Sequence, residues 1–361
     1  MLTAGPDAIA QAARLLEEGK LVAIPTETVY GLAADADNPA AVAAIFSAKG
    51  RPSNHPLIVH VARDADLSHW AIDIPPVAQQ LIAAFWPGPL TLILKRAPGV
   101  DDVITGGQDS IGVRCPSHPV AQALLKLFRG GQGGIAAPSA NRFGRVSPTT
   151  VQHVIDELGE PGVGPVSAVL DGGPCEVGIE STIIDLTRLD TQGPVLLRPG
   201  QISVHQLEKV LGRPLATTDH AAPRVSGSLD AHYAPRTPLA LIEREALAET
   251  MAALRAKQRQ VVSLAIDKEV VQTTALQAEI LQTEGLQSES LDRAREFTKH
   301  MPSDPQAYAQ ALYAQLRTLD QVDADLILVE QPPKTTAWQG INDRLQRAAF
   351  DSVGVLERLL A

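Results

Sequence analysis

The chain has 361 residues, of which 45% are hydrophobic, 4% are aromatic and 20% are charged. This length suits two domains of ordinary size, and the apolar fraction is enough to bury cores built from Ala, Val, Leu and Ile. The net charge of −10 is shared evenly between residues 1–215 and the rest. It therefore excludes an acidic tail and the broad basic surface typical of nucleic-acid binding, but not a small cationic cleft.

The two cysteines, Cys115 and Cys175, form no C-x-x-C pair and no zinc-type spacing. This usage is typical of a reducing cytoplasm and argues against a disulfide scaffold. The N-terminal stretch predicts an amphipathic helix capped by an aspartate, not a signal peptide. No apolar run approaches the roughly 18 residues of a membrane span, so we expect a cytoplasmic protein that does not contact the membrane.

Short apolar runs alternate with helical patterns along the first part of the chain, as in α/β proteins. The pattern predicts helices over 7–19, 39–48, 76–85, 117–128, 148–158 and 203–211. It predicts strands over 21–25, 57–61, 90–95, 110–114, 134–137, 167–170, 181–186 and 194–197. We assign residues 1–212 to one domain.

Residues 213–238 contain several prolines and little periodicity, which predicts a linker. Ser226, Ser228, His232 and Tyr233 lie close together in it. Two interpretations are open, a simple tether and a flap that packs across a neighbouring site.

A second α/β pattern follows over 239–361, which we assign to a smaller domain. It predicts helices over about 245–256, 304–320 and 340–359, and strands over 260–265 and 324–330. The Gln/Thr/Leu-rich stretch 270–290 predicts no clear element.

Common nucleotide and hydrolase motifs are missing from the sequence. There is no GxxxxGK[ST], which excludes a P-loop, and GGQGG at 130–134 precedes a strand instead of a helix, unlike a dinucleotide fingerprint. Ser139 does not lie in a GxSxG elbow, so a nucleophilic role for it is disfavoured.

The tripeptide Lys49–Gly50–Arg51 places two cations at the end of a predicted helix. The helix dipole alone can explain them. Alternatively, because Pro52 ends the helix and fixes the turn, the two side chains can grip a phosphate, the arginine as a planar fork and the lysine as a point charge.

Several polar residues follow directly after predicted strands. Ligands of open α/β sheets bind beyond strand ends. These residues together therefore predict one pocket for an anionic ligand. The set is Thr28, Arg51, Arg114, Ser139 and Arg198.

Two further polar residues have ordinary structural explanations. His60 lies inside the apolar strand LIVHV, where a single histidine is usually a buried core residue. Ser147 precedes Pro148, and this pair predicts the N-cap and first residue of a helix.

Six motifs then occur in a specific order: PTETVYGL, KGRP..HPLIVH, SIGVR.P, PSAN..G..SPT, ESTIIDL and LRPG. In this order they resemble the YrdC-type threonylcarbamoyl-AMP synthases. The linker HYAP and the ending AYAQALYAQLRTLD…ADLILVE…INDRLQRAA resemble the long, two-domain form. The resemblance covers nearly the whole chain and is weakest at 267–295. Two departures are His55, where many relatives carry Asn, and the linker spelling SGSLDAHYAP.

The resemblance implies an α/β fold: a twisted mixed sheet in the N-terminal domain, and a smaller Rossmann-like C-terminal domain. It implies a nucleotidyltransferase that makes threonylcarbamoyl-AMP and pyrophosphate from L-threonine, bicarbonate and ATP, with Mg²⁺ accompanying the ATP. A downstream partner machinery then modifies ANN-decoding tRNAs, and direct tRNA contact is weak at most.

The resemblance also implies roles for individual residues. The catalytic set is Lys49, Arg51, Ser139 and Asn141. The threonine-binding set is Thr28, His60, Arg114, Ala137 and Ser181. The ATP-binding set is Arg51, His55, Ser110, Ser139, Ser147, Arg198 and Tyr233. No metal ligand is expected.

Two alternatives stay open at this point. A double-stranded RNA or tRNA-binding module without catalysis suits a concave α/β surface, although the negative charge of the first domain disfavours it. A carbamoyl transferase of the hydrogenase-maturation type would bring zinc-finger cysteines and an acylphosphatase module, and neither is visible in the sequence.

Overall fold

The computed structural model describes residues 1–267 and 298–361. Within these ranges the chain forms a large mixed sheet and a smaller parallel sheet, which confirms the predicted fold class. No helix in the described ranges is both long and apolar enough to cross a lipid bilayer. The predicted irregular stretch 270–290 lies outside the described residues.

The first sheet has eleven strands in the part of the chain that the structure describes. They are β1 (Leu2–Thr3), β2 (Val22–Ile24), β3 (Gly31–Asp35), β4 (Ile58–His60), β5 (Ala71–Ile72), β6 (Leu90–Arg96), β7 (Ser110–Arg114), β8 (Ile135–Ala136), β9 (Ala168–Asp171), β10 (Thr182–Asp185) and β11 (Val195–Arg198). Their order in space is β1-β9-β2-β3-β8-β4-β7-β6-β10-β11, with β5 beside β6.

Helices cover both faces of this sheet. They are α1 (Pro6–Glu17), α2 (Pro39–Lys49), α3 (Pro76–Phe85), α4 (Asp102–Thr105), α5 (Pro119–Leu127), α6 (Val151–Leu158) and α7 (Val204–Leu211). Leu16 and Leu124 belong to one core cluster, and Ile45 and Leu81 belong to another. Because both faces are covered, central strands such as β3 are buried along their whole length.

The second sheet is parallel throughout its described strands. Its elements are β12 (Leu239–Ile242), α8 (Arg244–Ala256), β13 (Val261–Ile266), β14 (Thr298–Met301), α9 (Pro305–Asp320), β15 (Leu326–Glu330), α10 (Gln339–Ala349) and α11 (Val355–Leu360). The strand order is β12-β15-β13-β14.

The two sheets share a hydrophobic core. Val29 and Tyr233 pack in one cluster with Leu312 and Tyr313 of α9. Gly178 has a φ of 80°, and a Cβ on it would lie 2.5 Å from the carbonyl oxygen of Ala309. A glycine is therefore required where α9 approaches the first sheet.

Helix starts differ from the sequence prediction at two places. Gly5, not an aspartate, occupies the N-cap of α1, and Asp7 lies in the first turn. The helix predicted over 148–158 begins at Val151, because Thr150 caps it by accepting a hydrogen bond from the His153 amide. The predicted cap by Ser147 is wrong.

The helix predicted over 340–359 is interrupted between α10 and α11. Gly354 adopts a left-handed φ of 76° at the start of α11, which breaks the helical path. The sequence pattern also does not predict the strands β1, β3, β5, β12 and β14. β3 reads GLAAD, and glycine, alanine and aspartate are weak strand formers.

Candidate functional site

A buried cavity of about 40 Å³ lies beyond the ends of several central strands of the first sheet. All five residues predicted to bind threonine, and three of the seven predicted to bind ATP, line it. These are Thr28, His60, Arg114, Ala137, Ser139, Ser181, Arg198 and Tyr233. Of the five strand-end residues predicted to form one pocket, Arg51 is not in the cavity wall itself.

The turn after β2 places Thr28 against Arg114. Thr26 closes this turn, since its hydroxyl donates to the carbonyl of Val29 at 2.6 Å. Arg114, at the end of β7, donates from Nη1 to the Thr28 hydroxyl at 2.9 Å. Its Nη2 lies 2.7 Å from the carboxylate of Glu27, which is only 3% exposed. Glu27 is not among the predicted site residues, although it stands in the motif PTETVYGL.

His60 ends β4 directly beside Arg114 in the parallel pair of β4 and β7. Its Nδ1 lies 3.2 Å from the carbonyl oxygen of Ile58. Burial, followed by the nearby Arg114 charge, lowers the pKa of His60 to about 3. The imidazole is therefore neutral at physiological pH, so it faces the cavity as a neutral hydrogen-bonding group.

Lys49 and Arg51 are held by the turn that ends α2. Gly50 takes a left-handed φ of 62° and caps the helix. The Lys49 Nζ donates to the carbonyls of Ser139 and Asn141, each at 2.5 Å. Burial, and then the neighbouring Arg51, lower the pKa of Lys49 well below its usual range. In this conformation Lys49 fastens the backbone of the Ser139–Asn141 loop.

Arg51 is buried next to the cavity wall. Its Nη2 donates to the carbonyl of Pro56 at 2.8 Å, and its Nη1 lies 3.5 Å from the hydroxyl of Ser226, which lines the cavity. Burial, with a contribution from Arg198, lowers the pKa of Arg51 to about 10, so the guanidinium is still charged at neutral pH.

Arg198, at the end of β11, clamps Ser181. Its Nε and Nη2 both donate to the Ser181 carbonyl, at 3.1 and 3.0 Å, and Nη2 also reaches the Ser181 hydroxyl at 3.0 Å. Its Nη1 donates to the carbonyl of Ser226 at 2.7 Å. The structure therefore joins two predicted site residues to the segment 213–238.

Tyr233 places the segment 213–238 in the cavity wall. It is 1% exposed and adopts a left-handed φ of 62°, which is a strained conformation for a residue with a side chain. Burial and the nearby Glu180 raise the pKa of Tyr233 to about 12. Gly227 passes so close that a Cβ there would lie 2.0 Å from the Tyr233 hydroxyl.

Besides Lys49 and Arg51, four predicted residues lie outside the cavity wall. His55 packs its ring edge-on against Phe143, 5.3 Å between centroids. Ser110 lines a small neighbouring pocket that also contains Ser226. Ser147 is fully buried and donates to the Glu180 carboxylate at 2.5 Å. Asn141 donates to the carbonyl of Arg145 at 2.9 Å.

Glu180 is a residue of the cavity wall that the sequence analysis did not select. Its carboxylate accepts hydrogen bonds from Ser147, from the Tyr313 hydroxyl at 2.9 Å and from the Arg344 Nε at 2.8 Å. The only available signal was its position in the motif ESTIIDL, because Tyr313 and Arg344 are 133 and 164 residues away in sequence.

Buried polar atoms around the cavity lack hydrogen-bond partners among the residues that the structure describes. They include Arg51 Nε, Asn141 Oδ1, His232 Nδ1 and the Tyr233 hydroxyl. Such atoms are rare in native interiors because each unpaired group costs about 1–3 kcal/mol. Their clustering indicates a polar ligand.

Comparison with protein families gives two matches that together span most of the chain. The Sua5/YciO/YrdC model, described as telomere recombination, matches residues 14–200. The model described as threonylcarbamoyl-AMP synthase, C-terminal domain, matches residues 202–350.

Individual relatives align over nearly the full length. The threonylcarbamoyl-AMP synthase of Pyrococcus abyssi is 37% identical, covering 94% of this chain and 93% of that protein. That of Bacillus subtilis is 36% identical, covering 94% and 92%. The crystal structure of P. abyssi Sua5 complexed with L-threonine superposes with a TM-score of 0.80 at 34% identity, covering 95% of this chain and 94% of that one. This chain therefore belongs to the Sua5/YrdC family, in the long form that carries the Sua5 C-terminal region.

Proposed function

We propose that this protein synthesises threonylcarbamoyl-AMP and pyrophosphate from L-threonine, bicarbonate and ATP. The observation that carries the proposal is a small polar cavity with two buried arginines, Arg114 and Arg198, in its wall and a third, Arg51, directly behind the wall at Ser226. Relatives named threonylcarbamoyl-AMP synthase, and a similar structure that contains L-threonine, support it.

Threonine is proposed to bind on the Arg114 side of the cavity. The Arg114 fork suits a carboxylate, while Thr28 and the neutral His60 suit its hydroxyl or amine. Glu27 already balances part of the Arg114 charge, so a single negative charge suffices there. The Ser181 hydroxyl and the Ala137 backbone complete this proposed side.

ATP is proposed to bind on the side of Arg51 and Arg198. Its triphosphate carries about four negative charges, which these guanidinium groups offset in a site that excludes water. The threonine amine takes up bicarbonate-derived CO₂ as a carbamate, whose oxygen attacks the α-phosphorus in line while pyrophosphate leaves. Such a transfer depends on positioning and charge neutralisation, and no nucleophilic side chain is needed.

The remaining assignments stay predictions. Ser139 and Asn141 flank the proposed phosphate position, and Lys49 would act there through the backbone that it holds. His55, Ser110 and Ser147 would contact the nucleotide only after a rearrangement, because each lies outside the cavity wall.

A cavity of about 40 Å³ has room for a few water molecules but not for a nucleotide. Nucleotide entry therefore requires the segment 213–238 to move, at least around Ser226 and Tyr233, which both line the cavity. On binding, this segment would close again and keep water from a hydrolysable product.

Mg²⁺ is proposed to enter with ATP as part of the substrate. In the described ranges no three His, Cys, Asp or Glu side chains cluster in a way that could hold a metal ion. The Glu180 carboxylate, which lines the cavity, is already bonded to Ser147, Tyr313 and Arg344.

The product is an activated acyl-adenylate, and we propose that a separate cytoplasmic machinery consumes it to modify tRNA. The RNA-binding alternative is not favoured. The arginines that converge on the cavity are 3–6% exposed, and side chains buried to this extent do not reach the phosphates of a duplex.

The first test is pyrophosphate release from ATP, with L-threonine or bicarbonate omitted in turn. Release should require both, and Arg51→Ala should lower it by about 10²–10³-fold. Lys49→Ala should lower it as well, since the Ser139–Asn141 backbone loses its fastening. Lys126→Ala, an exposed lysine on α5, is the control and should behave as the wild type. Release without threonine would show that the acceptor is a different amine, and no release at all would refute the synthase.

A further inference from the structure

An arginine from the second part of the chain reaches the cavity wall. Arg344 lies on α10, and its side chain is completely buried. Its Nε donates to the carboxylate of Glu180 at 2.8 Å, and Glu180 lines the cavity. A helix that packs on the second sheet thus touches a site whose other walls come from the first sheet and the segment 213–238.

The other donors of Arg344 hold main-chain carbonyls next to two proposed site residues, and Nη1 also donates to the carboxylate of the neighbouring Asp343 at 2.6 Å. Nη2 donates at 3.2 Å to the carbonyl of Glu180, immediately before Ser181. Nη1 donates at 2.9 Å to the carbonyl of Pro199, immediately after Arg198. Because a guanidinium is a rigid planar fork, it fixes both peptide units relative to each other.

Two aromatic residues extend this arrangement. The Arg344 guanidinium lies 5.2 Å from the ring centroid of Tyr233, within the range of a cation–π contact. The Tyr313 hydroxyl, from α9, donates at 2.9 Å to Glu180 Oε2, the same oxygen that accepts from the Arg344 Nε. Arg344 therefore contacts Tyr233 and also the backbone at Glu180 and at Pro199.

The backbone of α10, from which the Arg344 side chain projects, is held close to the first part of the chain. Gly340, one turn earlier on α10, lies so close to the first part of the chain that a Cβ there would be 2.9 Å from the Gly200 carbonyl oxygen. The helix backbone thus rests directly on the loop that follows Arg198.

The energetics favour a positional role over a purely stabilising one. A buried ion pair is weak evidence for stability, because desolvation of both charges often cancels their attraction and apolar replacements can be as stable. What an apolar side chain cannot supply is the fork that orders two carbonyls at once.

We propose that Arg344 is a positioning residue of the active site, through which the C-terminal part of the chain sets the placement of Ser181, Arg198 and Tyr233. The proposal rests on the proposed synthase function. It assigns a specific task to the second domain: to hold the part of the cavity wall formed by Ser181, Arg198 and Tyr233 in its productive geometry.

The experiment compares four variants: Arg344→Met, Glu180→Gln/Arg344→Met, Arg344→Lys and Arg244→Met. The double variant removes the unpaired buried carboxylate without restoring the fork. Arg244→Met is the control away from the cavity, because Arg244, whose side chain is 44% exposed, pairs with the buried Glu330 at 2.5 Å at the carboxyl edge of the second sheet. Melting temperature, kcat and KM of pyrophosphate release, and the affinity for a non-hydrolysable ATP analogue are measured for each.

We expect Arg344→Met to lower kcat by about 100-fold, the size of effect that a displacement near 1 Å produces. The double variant should recover the melting temperature but not kcat. The kcat of Arg344→Lys, which keeps the charge without the planar fork, should also stay low. Arg244→Met should lose melting temperature with kcat unchanged. Recovery of kcat together with stability in the double variant would overturn the proposal, since charge balance alone would then explain the loss.

Analogue binding separates this proposal from the proposed function. If the wild type releases no pyrophosphate, the synthase function is wrong. Weaker analogue binding in Arg344→Met than in Arg244→Met would then still support the positioning role, and equal binding in both would refute it.

Discussion

The pKa values of the titratable residues around the cavity are set by burial and by specific charged or hydrogen-bonding partners. Burial alone would raise the pKa of Glu180, but the charges of Arg344 and Arg198 and the hydrogen bond from Ser147 outweigh it and hold the pKa at about 2. The same cavity wall keeps His60 and His232 neutral, since burial lowers the pKa of each to about 3. The site therefore keeps its positive charge on arginines, whose charge does not change over the physiological pH range.

The Glu180 carboxylate makes the free energy of unfolding depend on pH. Its pKa is depressed relative to the usual value of 4.5, so its contribution is present above about pH 5 and is lost as the pH falls toward 2. We expect Glu180→Gln to be less stable than the wild type at pH 7, by roughly 3 kcal/mol, and this difference to shrink as the pH is lowered to 3. Urea unfolding at pH 3 to 7 measures it.

The control for this pH series is Glu249→Gln, an exposed carboxylate on α8. Its difference from the wild type should be small and flat across the series. A flat difference for Glu180→Gln as well would show that Glu180 is not held in its charged form by Arg344.

At the scale of elements, short turns decide where the chemistry is placed. The left-handed Gly50 turns the chain out of α2 so that Lys49 and Arg51 project to different partners. Gly227 does the same in the segment 213–238, where its φ of 78° lets the chain pass over the Tyr233 hydroxyl. Sequence patterns show such glycines but not what they approach.

Gly227→Ala should displace Tyr233, because the added Cβ would lie 2.0 Å from its hydroxyl and 3.1 Å from the Arg198 Nη1. We expect at least a tenfold weaker binding of ATP, consistent with a lost or misplaced contact of about 1–2 kcal/mol, measured by titration with a non-hydrolysable analogue. Gly162→Ala has a similar φ of 81° but no neighbour within 4 Å. It should cost only about 1 kcal/mol of stability and leave binding intact. Equal binding by both variants would show that Tyr233 does not contact the nucleotide.

At the scale of the whole molecule, the two sheets are coupled by the core that contains Tyr233, Tyr308 and Tyr313 and by the contact of α10 with Gly200. A shared core predicts that the described parts unfold together. It also gives the C-terminal part a direct physical route to the cavity, through Arg344 and Glu180.

Gly340→Ala tests this coupling. In an exposed helix the change would stabilise by about 1 kcal/mol, but here the Cβ would meet the Gly200 carbonyl oxygen at 2.9 Å. We expect the steric clash to outweigh the gain in helix propensity. Gly340→Ala should therefore lower the melting temperature and split a single calorimetric transition into two. Gln346→Ala, on the exposed face of the same helix, should leave a single transition. A stabilised Gly340→Ala with one sharp transition would contradict the coupling.

Most secondary-structure predictions needed no tertiary information. The helix at 76–85 and the strand at 110–114 match their observed bounds, because apolar periodicity and proline positions are local signals. The errors have local causes too: Thr150 competed with Ser147 for the cap of α6, and Gly354 interrupted the last helix. The proposed domain boundaries at 212 and 238 and the residue roles stay predictions.

The sequence by itself determined the α/β class, the order of the motifs and the polar residues that follow the strands, since these depend on neighbours along the chain. It did not determine that Lys49 bonds to the Ser139 and Asn141 carbonyls, that Glu27 balances Arg114, or that Arg344 reaches Glu180. The first and last of these contacts join residues about 90 and 164 positions apart, and Glu27 and Arg114 are likewise distant in sequence. Only the order of the strands and the packing of α10 against the first part of the chain bring such groups together. Burial and charge pairing depend on which distant residues become neighbours in the folded protein, and local sequence does not specify this.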